Sequence, residues 1–143
     1  MTVKFRHVGI TVSDLEKSIN FYTNILGLSI IVEADESGQH IDNFSGLDGV
    51  NVRSVKMTDN DGGLVELIYY KSHKGVSIPD KDITHIGCSH FAVTVQNLTE
   101  LYNKLVANGV TVMCQPQKSP DFPVVLTFCK DADGTLIELV EEL

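Results

Sequence analysis

Apolar residues follow two different periods along the first part of the chain. Residues 5–12 are apolar and rich in β-forming side chains, which indicates a strand, and the next apolar positions recur at helical spacing. These positions are Leu15, Ile19, Tyr22 and Leu26. Ser13 or Asp14 is suited to cap the start of this helix, and Gly27 is suited to end it. The pattern therefore predicts a strand followed by a helix.

The same succession occurs again in the second half of the chain. Asn97 stands as an N-cap before an apolar stripe, and Gly109 follows the stripe. The stripe consists of Leu98, Leu101, Tyr102 and Leu105. Short apolar runs after each predicted helix indicate further strands, at 28–32, 50–57 and 64–70 in the first half and at 110–114, 124–129 and 136–140 in the second.

The repetition extends to the residues themselves. The segment HVGITVSDLEKSINFY from His7 aligns with HFAVTVQNLTELYNKL from His90, and DGGLVELIYY from Asp61 aligns with DGTLIELVEE from Asp133. The two histidines are 90 − 7 = 83 residues apart and the two glutamates are 138 − 66 = 72 residues apart. The second copy is therefore 11 residues shorter between its histidine and its glutamate. Two pairs of similar segments in the same order indicate an internal duplication.

We therefore predict an α+β fold with two βαβββ modules in a single domain that spans residues 1–143. The modules cover residues 1–70 and 85–143, and a linker at 71–84 joins them. The segment 33–49 is polar and glycine-rich without a clean period, which leaves both a loop and a broken strand open.

Two glutamates occupy equivalent positions in this duplication. Glu66 in LVELI and Glu138 in LIELV each lie in a predicted strand that is apolar on both faces. A carboxylate on a covered strand must be paired, protonated or bound to a metal, because an unpaired buried charge is strongly destabilising. A single such glutamate most often forms a salt bridge to a lysine or arginine or lies on an edge strand that faces solvent, whereas two at equivalent positions favour a shared role.

Two histidines, His7 and His90, begin the first strand of each predicted module. A lone histidine is more often a core or surface residue than a ligand. Equivalent positions of a pseudo-two-fold repeat meet around its axis, however, and two histidines with two carboxylates are a common ligand set for a divalent metal. His7, Glu66, His90 and Glu138 are therefore the candidate metal ligands.

Composition narrows the range of partners. The formal net charge of −8 disfavours nucleic acid and anionic membranes. No apolar run approaches the roughly 18 residues of a membrane span, and the N-terminus lacks the pattern of a secretion signal, so a cytoplasmic location is expected. Cys88, Cys114 and Cys129 lack clustered spacing and are predicted to be reduced, buried thiols.

The paired motifs resemble the vicinal oxygen chelate superfamily, which includes glyoxalases, bleomycin resistance proteins and dioxygenases. HVGITVSDLEKSINFYTNILGL is similar to the opening module of glyoxalase I, and SHFAVTVQN and FCKDADGTLIELVEE are similar to the second. The resemblance implies a cupped mixed sheet around one metal, held at the positions of His7, Glu66, His90 and Glu138. It also implies a homodimer in which modules pair across chains, with a site built within one chain as the alternative.

The resemblance further implies a reaction. One divalent ion (nickel, cobalt, zinc or manganese) would bind two adjacent oxygens of a small-molecule substrate and stabilise an enediolate. In glyoxalase I this chemistry converts a 2-oxoaldehyde thiohemiacetal into a 2-hydroxyacyl thioester, with glutathione as the thiol cosubstrate. Glu138 is the first choice for the catalytic base, Glu66 is its catalytic partner, and His7 and His90 are structural ligands.

Departures from the glyoxalase I pattern keep other activities open. Thr11 and Tyr70 stand where the bacterial enzyme commonly carries an arginine and an asparagine that hold glutathione. A different thiol or oxyanion substrate is therefore an alternative. An epimerase or isomerase resembling methylmalonyl-CoA epimerase is a second candidate, although that family usually places a glutamine where Glu66 stands. Another metal-dependent activity is equally open, although a dioxygenase ranks low because its iron triad of two histidines and one carboxylate would leave one ligand over. A metal-free, resistance-type binding protein is the last alternative, because four intact ligand positions count against it.

Other polar residues receive weaker predictions. Arg53 faces either the site or solvent, with solvent favoured. His40, His73 and His85 are predicted to be non-ligands, and the Asp-Gly pairs at 61–62 and 133–134 are predicted to be tight turns.

Overall fold

The chain divides into two compact units, Met1–Ser77 and Ile78–Leu143, in a computed structural model that describes all 143 residues. The division lies inside the predicted linker 71–84, which contains neither strand nor helix. Each unit contains a four-stranded sheet. None of the helices has the length and apolar character that a membrane crossing requires. That the two units form a single domain stays a prediction.

The first unit has the order strand, helix, strand, helix, strand, strand. Its strands are β1 (Val8–Thr11), β2 (Ser29–Ser37), β3 (Asn51–Thr58) and β4 (Leu64–Tyr70). Its helices are α1 (Leu15–Asn20), which continues as a π-helical turn over Phe21–Ile25, and α2 (Gln39–Ser45). The strands are ordered β1-β4-β3-β2, and β1 runs parallel to β4 while the other pairs are antiparallel.

The second unit repeats this topology with one helix fewer. Its elements are β5 (His90–Thr94), α3 (Leu98–Ala107), β6 (Gln117–Lys118), β7 (Val124–Lys130) and β8 (Leu136–Glu142). The strands are ordered β5-β8-β7-β6, with β5 parallel to β8. The predicted α+β fold with two βαβββ modules is confirmed.

Helix α1 begins at the predicted cap but buries a different face from the predicted one. The Asp14 side chain accepts a hydrogen bond from the Lys17 backbone N–H at 3.0 Å. The predicted stripe is wrong at Ile19 and Leu26, which are only half-buried. The wider π-helical turn rotates the positions that follow it, which accounts for Leu26; Ile19 lies before the turn. The buried positions are Leu15, Ser18, Phe21, Tyr22 and Ile25.

Helix α3 begins and ends where predicted, but its predicted stripe is wrong at Leu101 and Tyr102, which are only half-buried. The Asn97 side chain accepts a hydrogen bond from the Glu100 backbone N–H at 3.1 Å, and Leu98 and Leu105 are fully buried. Gly109 follows the helix with φ of 70°, a left-handed conformation that glycine adopts without strain.

The predicted strand at 110–114 is wrong. Val110 donates its backbone N–H to Leu105 and so belongs to the end of α3, and Val112 forms only an isolated bridge to Cys129. The third strand of the second module is instead the two-residue β6.

The segment 33–49 is neither a simple loop nor only a broken strand. Strand β2 extends into it as far as Ser37, and α2 then forms between Gly38 and Gly46, which both have positive φ. Ile41 of α2 is buried in a cluster with Val50 and Val52, against which Ile68 and Tyr70 pack. Helix α2 therefore covers part of the β3–β4 surface.

Candidate metal centre

His7 and Glu66 form a pair on one face of the first sheet. Strand β1 lies beside β4 with Gly9 opposite Glu66, so His7 lies two residues earlier on the same side as the carboxylate. The His7 Nε2 atom is 2.9 Å from Glu66 Oε2, and the Glu66 side chain is 13% exposed. The His7 Nδ1 atom is buried and has no hydrogen-bond partner.

His90 and Glu138 form the equivalent pair in the second sheet. Ala92 lies opposite Glu138, and His90 lies two residues before Ala92, on the same side of the sheet as the carboxylate. The His90 Nε2 atom is 3.4 Å from Glu138 Oε2, and the Glu138 side chain is 23% exposed. Ser89 Oγ lies 2.8 Å from His90 Nδ1, and a hydrogen bond of this kind fixes the ring orientation of many metal-ligating histidines.

The burial pattern explains why a glutamate fits each position. Val65 and Leu67 on the opposite face of β4 are buried, as are Ile137 and Leu139 on the opposite face of β8. Both glutamates therefore lie on the half-exposed face of their strands. A carboxylate on such a face keeps part of its hydration and remains available to a ligand.

The four sequence-predicted ligands thus occur as two pairs, one in each unit. The structure contains no group of three or more His, Cys, Asp or Glu side chains that could hold a metal. The chemistry of the donors, two imidazole nitrogens and two carboxylates, suits a borderline divalent cation. The four-ligand site itself stays a prediction.

Lys56 is a site residue that the sequence analysis missed. It lies directly opposite Glu66 in the β3–β4 pair, and its Nζ atom is 3.3 Å from Glu66 Oε1. The two oxygens of Glu66 therefore have separate partners, His7 and Lys56. The signal was present in the sequence, because a hairpin centred on Asp61 places the residues five before and five after it opposite each other.

The position equivalent to Lys56 in the second unit holds an aromatic residue. Phe128 lies opposite Glu138 in the β7–β8 pair. Its ring contacts the His90 ring edge-to-face, with centroids 5.2 Å apart and an interplanar angle of 80°. Phe128 therefore packs against the histidine of its pair, whereas Lys56 is bound to the glutamate.

Arg53 lies on the face opposite the candidate site. It precedes Lys56 by three residues in β3, so its side chain leaves the other side of the sheet. Its guanidinium is 2.6 Å from Glu33 and 3.6 Å from Asp35, and the hydrogen bond to Glu33 raises the pKa of Arg53. Of the two predicted orientations, the one toward the site is wrong.

The surroundings of the two pairs differ in shape. An open cleft of about 500 Å³ borders Glu138 in the second unit. Its other lining residues are Phe122, Pro123, Val124, Leu126, Val140, Glu142 and Leu143. The corresponding part of the first sheet, at Val52 and Tyr70, is packed under Ile41 of α2.

The remaining histidines belong to other elements or have other partners, and that they are non-ligands stays a prediction. His40 is in α2, the His73 Nδ1 atom lies 2.7 Å from Ser72 Oγ, and His85, just after the linker, pairs with Asp82 within it. The Asp-Gly turns are also confirmed: Gly62 and Gly134 have positive φ.

The cysteine prediction holds for one residue of three. Cys129 is fully buried, and burial raises the pKa of its thiol to about 12. Cys88 and Cys114 are exposed, so their predicted burial is wrong. Both lie outside the strands that build the second core. All three cysteines are free thiols.

Comparison with known proteins shows which family and which relatives the chain resembles. The family model described as the Glyoxalase/Bleomycin resistance protein/Dioxygenase superfamily matches residues 4–139. A lactoylglutathione lyase of Arabidopsis thaliana is 30% identical over 139 residues, which cover 96% of this chain and 44% of that protein. The lactoylglutathione lyase of Escherichia coli O157:H7 is 28% identical over 140 residues, which cover 98% of this chain and 93% of that protein. The chain thus spans less than half the length of the plant relative.

Solved structures match the fold at lower identity. A glyoxalase family protein from Bacillus cereus superposes with a TM-score of 0.90 at 22% identity, over 100% of this chain and 96% of that chain. The fosfomycin resistance protein FosX from Listeria monocytogenes, solved with Mn(II) and sulfate ion, gives a TM-score of 0.67 at 19% identity, over 100% and 95% of the two chains.

Proposed function

Because the chain belongs to the Glyoxalase/Bleomycin resistance protein/Dioxygenase superfamily, we propose that it is a metal-dependent lyase of the glyoxalase type. Its substrate is a 2-oxoaldehyde thiohemiacetal or a similar small molecule with two vicinal oxygens. The observation that carries the proposal is the duplicated pair: each unit presents one histidine Nε2 beside one carboxylate at equivalent register positions. The lactoylglutathione lyases among the relatives support the same activity.

In this proposal His7, Glu66, His90 and Glu138 together hold one nickel, cobalt, zinc or manganese ion. The two pairs meet either within one chain or between two copies in a homodimer. The mixed nitrogen and oxygen donor set and the hydroxyl of Ser89 beside His90 support metal binding. The manganese in the FosX structure supports the choice of a divalent cation.

The bound cation supplies a Lewis acid that favours negative charge on two adjacent substrate oxygens. Glu138 acts as the base that moves a proton between the neighbouring carbons, because it is the more exposed of the two glutamates and no lysine or arginine pairs with it. Glu66, in the other pair, is the catalytic partner of Glu138, and His7 and Lys56 each hold one of its oxygens. His7 and His90 act as ligands only.

The thiol cosubstrate is glutathione or another thiol. Tyr70, at one of the positions where glutathione is commonly held, instead packs against the cluster around Ile41. Thr11, at the other position, offers only a short hydroxyl. These two residues favour a cosubstrate other than glutathione.

A metal-free binding protein is the second candidate function. The observation that favours it is the Lys56–Glu66 ion pair, which compensates the charge of one predicted ligand without a cation. The two functions differ in whether the purified protein carries metal.

The deciding experiment measures the metal content of the purified protein beside that of Glu138→Gln. The proposal expects one divalent ion per site in the wild type and a clear loss in the variant. Glu142→Gln is the matched control, because Glu142 lies on the same strand and face and keeps the site ligands intact. A wild type that retains none of the four metals after dialysis against each would overturn the lyase and leave the binding protein.

Turnover then identifies the reaction. Conversion of methylglyoxal with glutathione supports the lyase, and conversion of methylmalonyl-CoA without it supports an epimerase. Size-exclusion chromatography with light scattering tests the proposed homodimer.

A further inference from the structure

The face of the first sheet that carries the His7–Glu66 pair has a single lysine or arginine side chain, that of Lys56. Among the four strands of that sheet the only Lys and Arg residues are Arg53 and Lys56, and Arg53 lies on the other face. Lys56 is flanked across the sheet by Glu66 on one side and by Val32 on the other. Glu66 is therefore the one acidic group directly opposite the Lys56 ammonium in the neighbouring strands.

The fold itself does not require a lysine at this position. The second unit has the same topology and the same histidine–glutamate pair, yet it places Phe128 opposite its glutamate. A partly exposed ion pair also contributes only about 0–1 kcal/mol to stability, so stability gives a weak reason for the lysine. Lys56, 31% exposed, is thus a feature of the site rather than of the sheet.

We propose that Lys56 is the anion-binding residue of this site and that its ammonium holds an anionic oxygen, such as a carboxylate, next to the vicinal oxygens of the substrate. The inference rests on the proposed function. A carboxylate that shares its charge with a divalent cation compensates an ammonium less fully, so Lys56 keeps positive charge to offer to a substrate. The substrate class that fits is an anion with two vicinal oxygens.

The ammonium is well placed for this role. Its Nζ atom lies 3.3 Å from a carboxylate oxygen of the candidate ligand Glu66, so an anion bound beside that ligand comes within reach of the same donors. Lysine carries three N–H donors, and one bond to Glu66 leaves the others for a second acceptor.

The test uses oxalate, a small dianion with vicinal oxygens, and the full chain loaded with Mn(II). Calorimetric titration with Mn(II) comes first, followed by titration of the loaded protein with oxalate. The variant Lys56→Met keeps the length of the side chain and removes the charge, and Lys56→Arg keeps the charge. Arg53→Met removes a cation from the same strand on the opposite face and is the matched control.

We expect Lys56→Met to bind oxalate at least about tenfold more weakly, as for the loss of a charge-assisted hydrogen bond. Its Mn(II) affinity should be equal or higher, because a nearby positive charge is gone. Lys56→Arg and Arg53→Met should bind oxalate within about threefold of the wild type, which is less than 1 kcal/mol.

Two outcomes overturn the inference, and they are distinguishable. Unchanged oxalate affinity in a Lys56→Met variant that binds Mn(II) removes the role of Lys56 and leaves the proposed lyase intact. A wild type that binds no Mn(II), nickel, cobalt or zinc removes the proposed function and the inference together.

Discussion

The two units place different residues opposite the same glutamate. In the first unit Glu66 lies between His7 and Lys56, with each carboxylate oxygen near one partner. In the second unit Glu138 has His90 at 3.4 Å, and the residue opposite it is Phe128. The two copies therefore differ: both carboxylate oxygens of Glu66 have partners, whereas Glu138 has one partner and is freer. In an acid–base reaction these suit different roles, because a base must exchange its partner during turnover.

The units also differ in what covers the sheet next to the pair. Helix α2 packs Ile41 onto the first sheet beside Ile68 and Tyr70. The second unit is 11 residues shorter between its histidine and its glutamate, and it has no helix that corresponds to α2. Its sheet has an open cleft of about 500 Å³ beside Glu138. One insertion thus decides which copy is covered and which is open.

The largest effect is expected from removing the freer carboxylate. Glu138→Gln should lower kcat by about 10²–10⁴-fold at saturating metal, because an amide cannot accept the proton. Glu66→Gln should weaken metal binding and lower kcat less. Steady-state rates on methylglyoxal with glutathione, and on methylmalonyl-CoA, measure both variants. Equal losses of kcat at saturating metal would contradict the division of roles, and Glu142→Gln controls for the charge change.

The next largest effect is expected from the buried faces of the two sheets and tests whether these faces are equivalent. Leu67 and Leu139 follow the two glutamates, and both are fully buried. Replacement of either by alanine should lower the free energy of unfolding by about 2–5 kcal/mol, because a cavity forms in a packed core. Urea denaturation of both variants measures this loss. A loss well below 1 kcal/mol in one unit would show that its core tolerates the cavity and that the units differ there as well.

A smaller effect concerns the helix that only the first unit has. The Asp42 carboxylate accepts hydrogen bonds from the backbone N–H groups of Gly49 and Val50 at 3.0 and 2.8 Å. These bonds, Val50 first, lower the pKa of Asp42 below its usual 3.8. The stabilisation is therefore present at neutral pH and is lost as the pH falls below 3.8 through the lowered pKa.

Hydrogen exchange of these two amides measures the pH dependence. We expect protection of Gly49 and Val50 to fall on acidification while the amides of β8 stay protected. In Asp42→Ala the protection of both amides should already be low at neutral pH. Protection that is insensitive to both changes would show that packing of Ile41 alone holds the helix.

The smallest effect is a difference in thiol reactivity within the second unit. Cys88 and Cys114 are exposed, whereas Cys129 is buried with a pKa raised to about 12. At neutral pH we expect rapid alkylation of two thiols and slow alkylation of the third, because the thiolate is the reactive form. Mass spectrometry of alkylated protein counts them. Leu139→Ala should speed labelling of Cys129 more than Leu67→Ala does, because Leu139 and Cys129 are both buried in the second unit. The reverse order would contradict this shared core.

Local sequence signals predicted most of the fold. The apolar run around Glu66 and the Asp-Gly turn before it located β4 at its observed bounds, and Asp14 and Asn97 capped the helices as expected. These signals are short-range, because caps, turns and apolar runs depend on residues a few positions apart. The helical face of α1 was predicted less well, since the π-helical turn at Phe21–Ile25 leaves no mark in the apolar spacing.

The sequence by itself determined the duplication, the two βαβββ modules and the equivalence of His7 with His90 and of Glu66 with Glu138. Repeated spacing and apolar periodicity carry that information directly. The position of Lys56 opposite Glu66 could be read from the Asp-Gly hairpin, but only the tertiary structure decided that the two side chains form an ion pair. It also decided that Arg53 leaves the other face, that Phe128 packs on His90, and that α2 covers one sheet. The reason is physical: these features depend on strand register and on contacts between elements, and a shift of one residue in register would exchange the two faces of a strand.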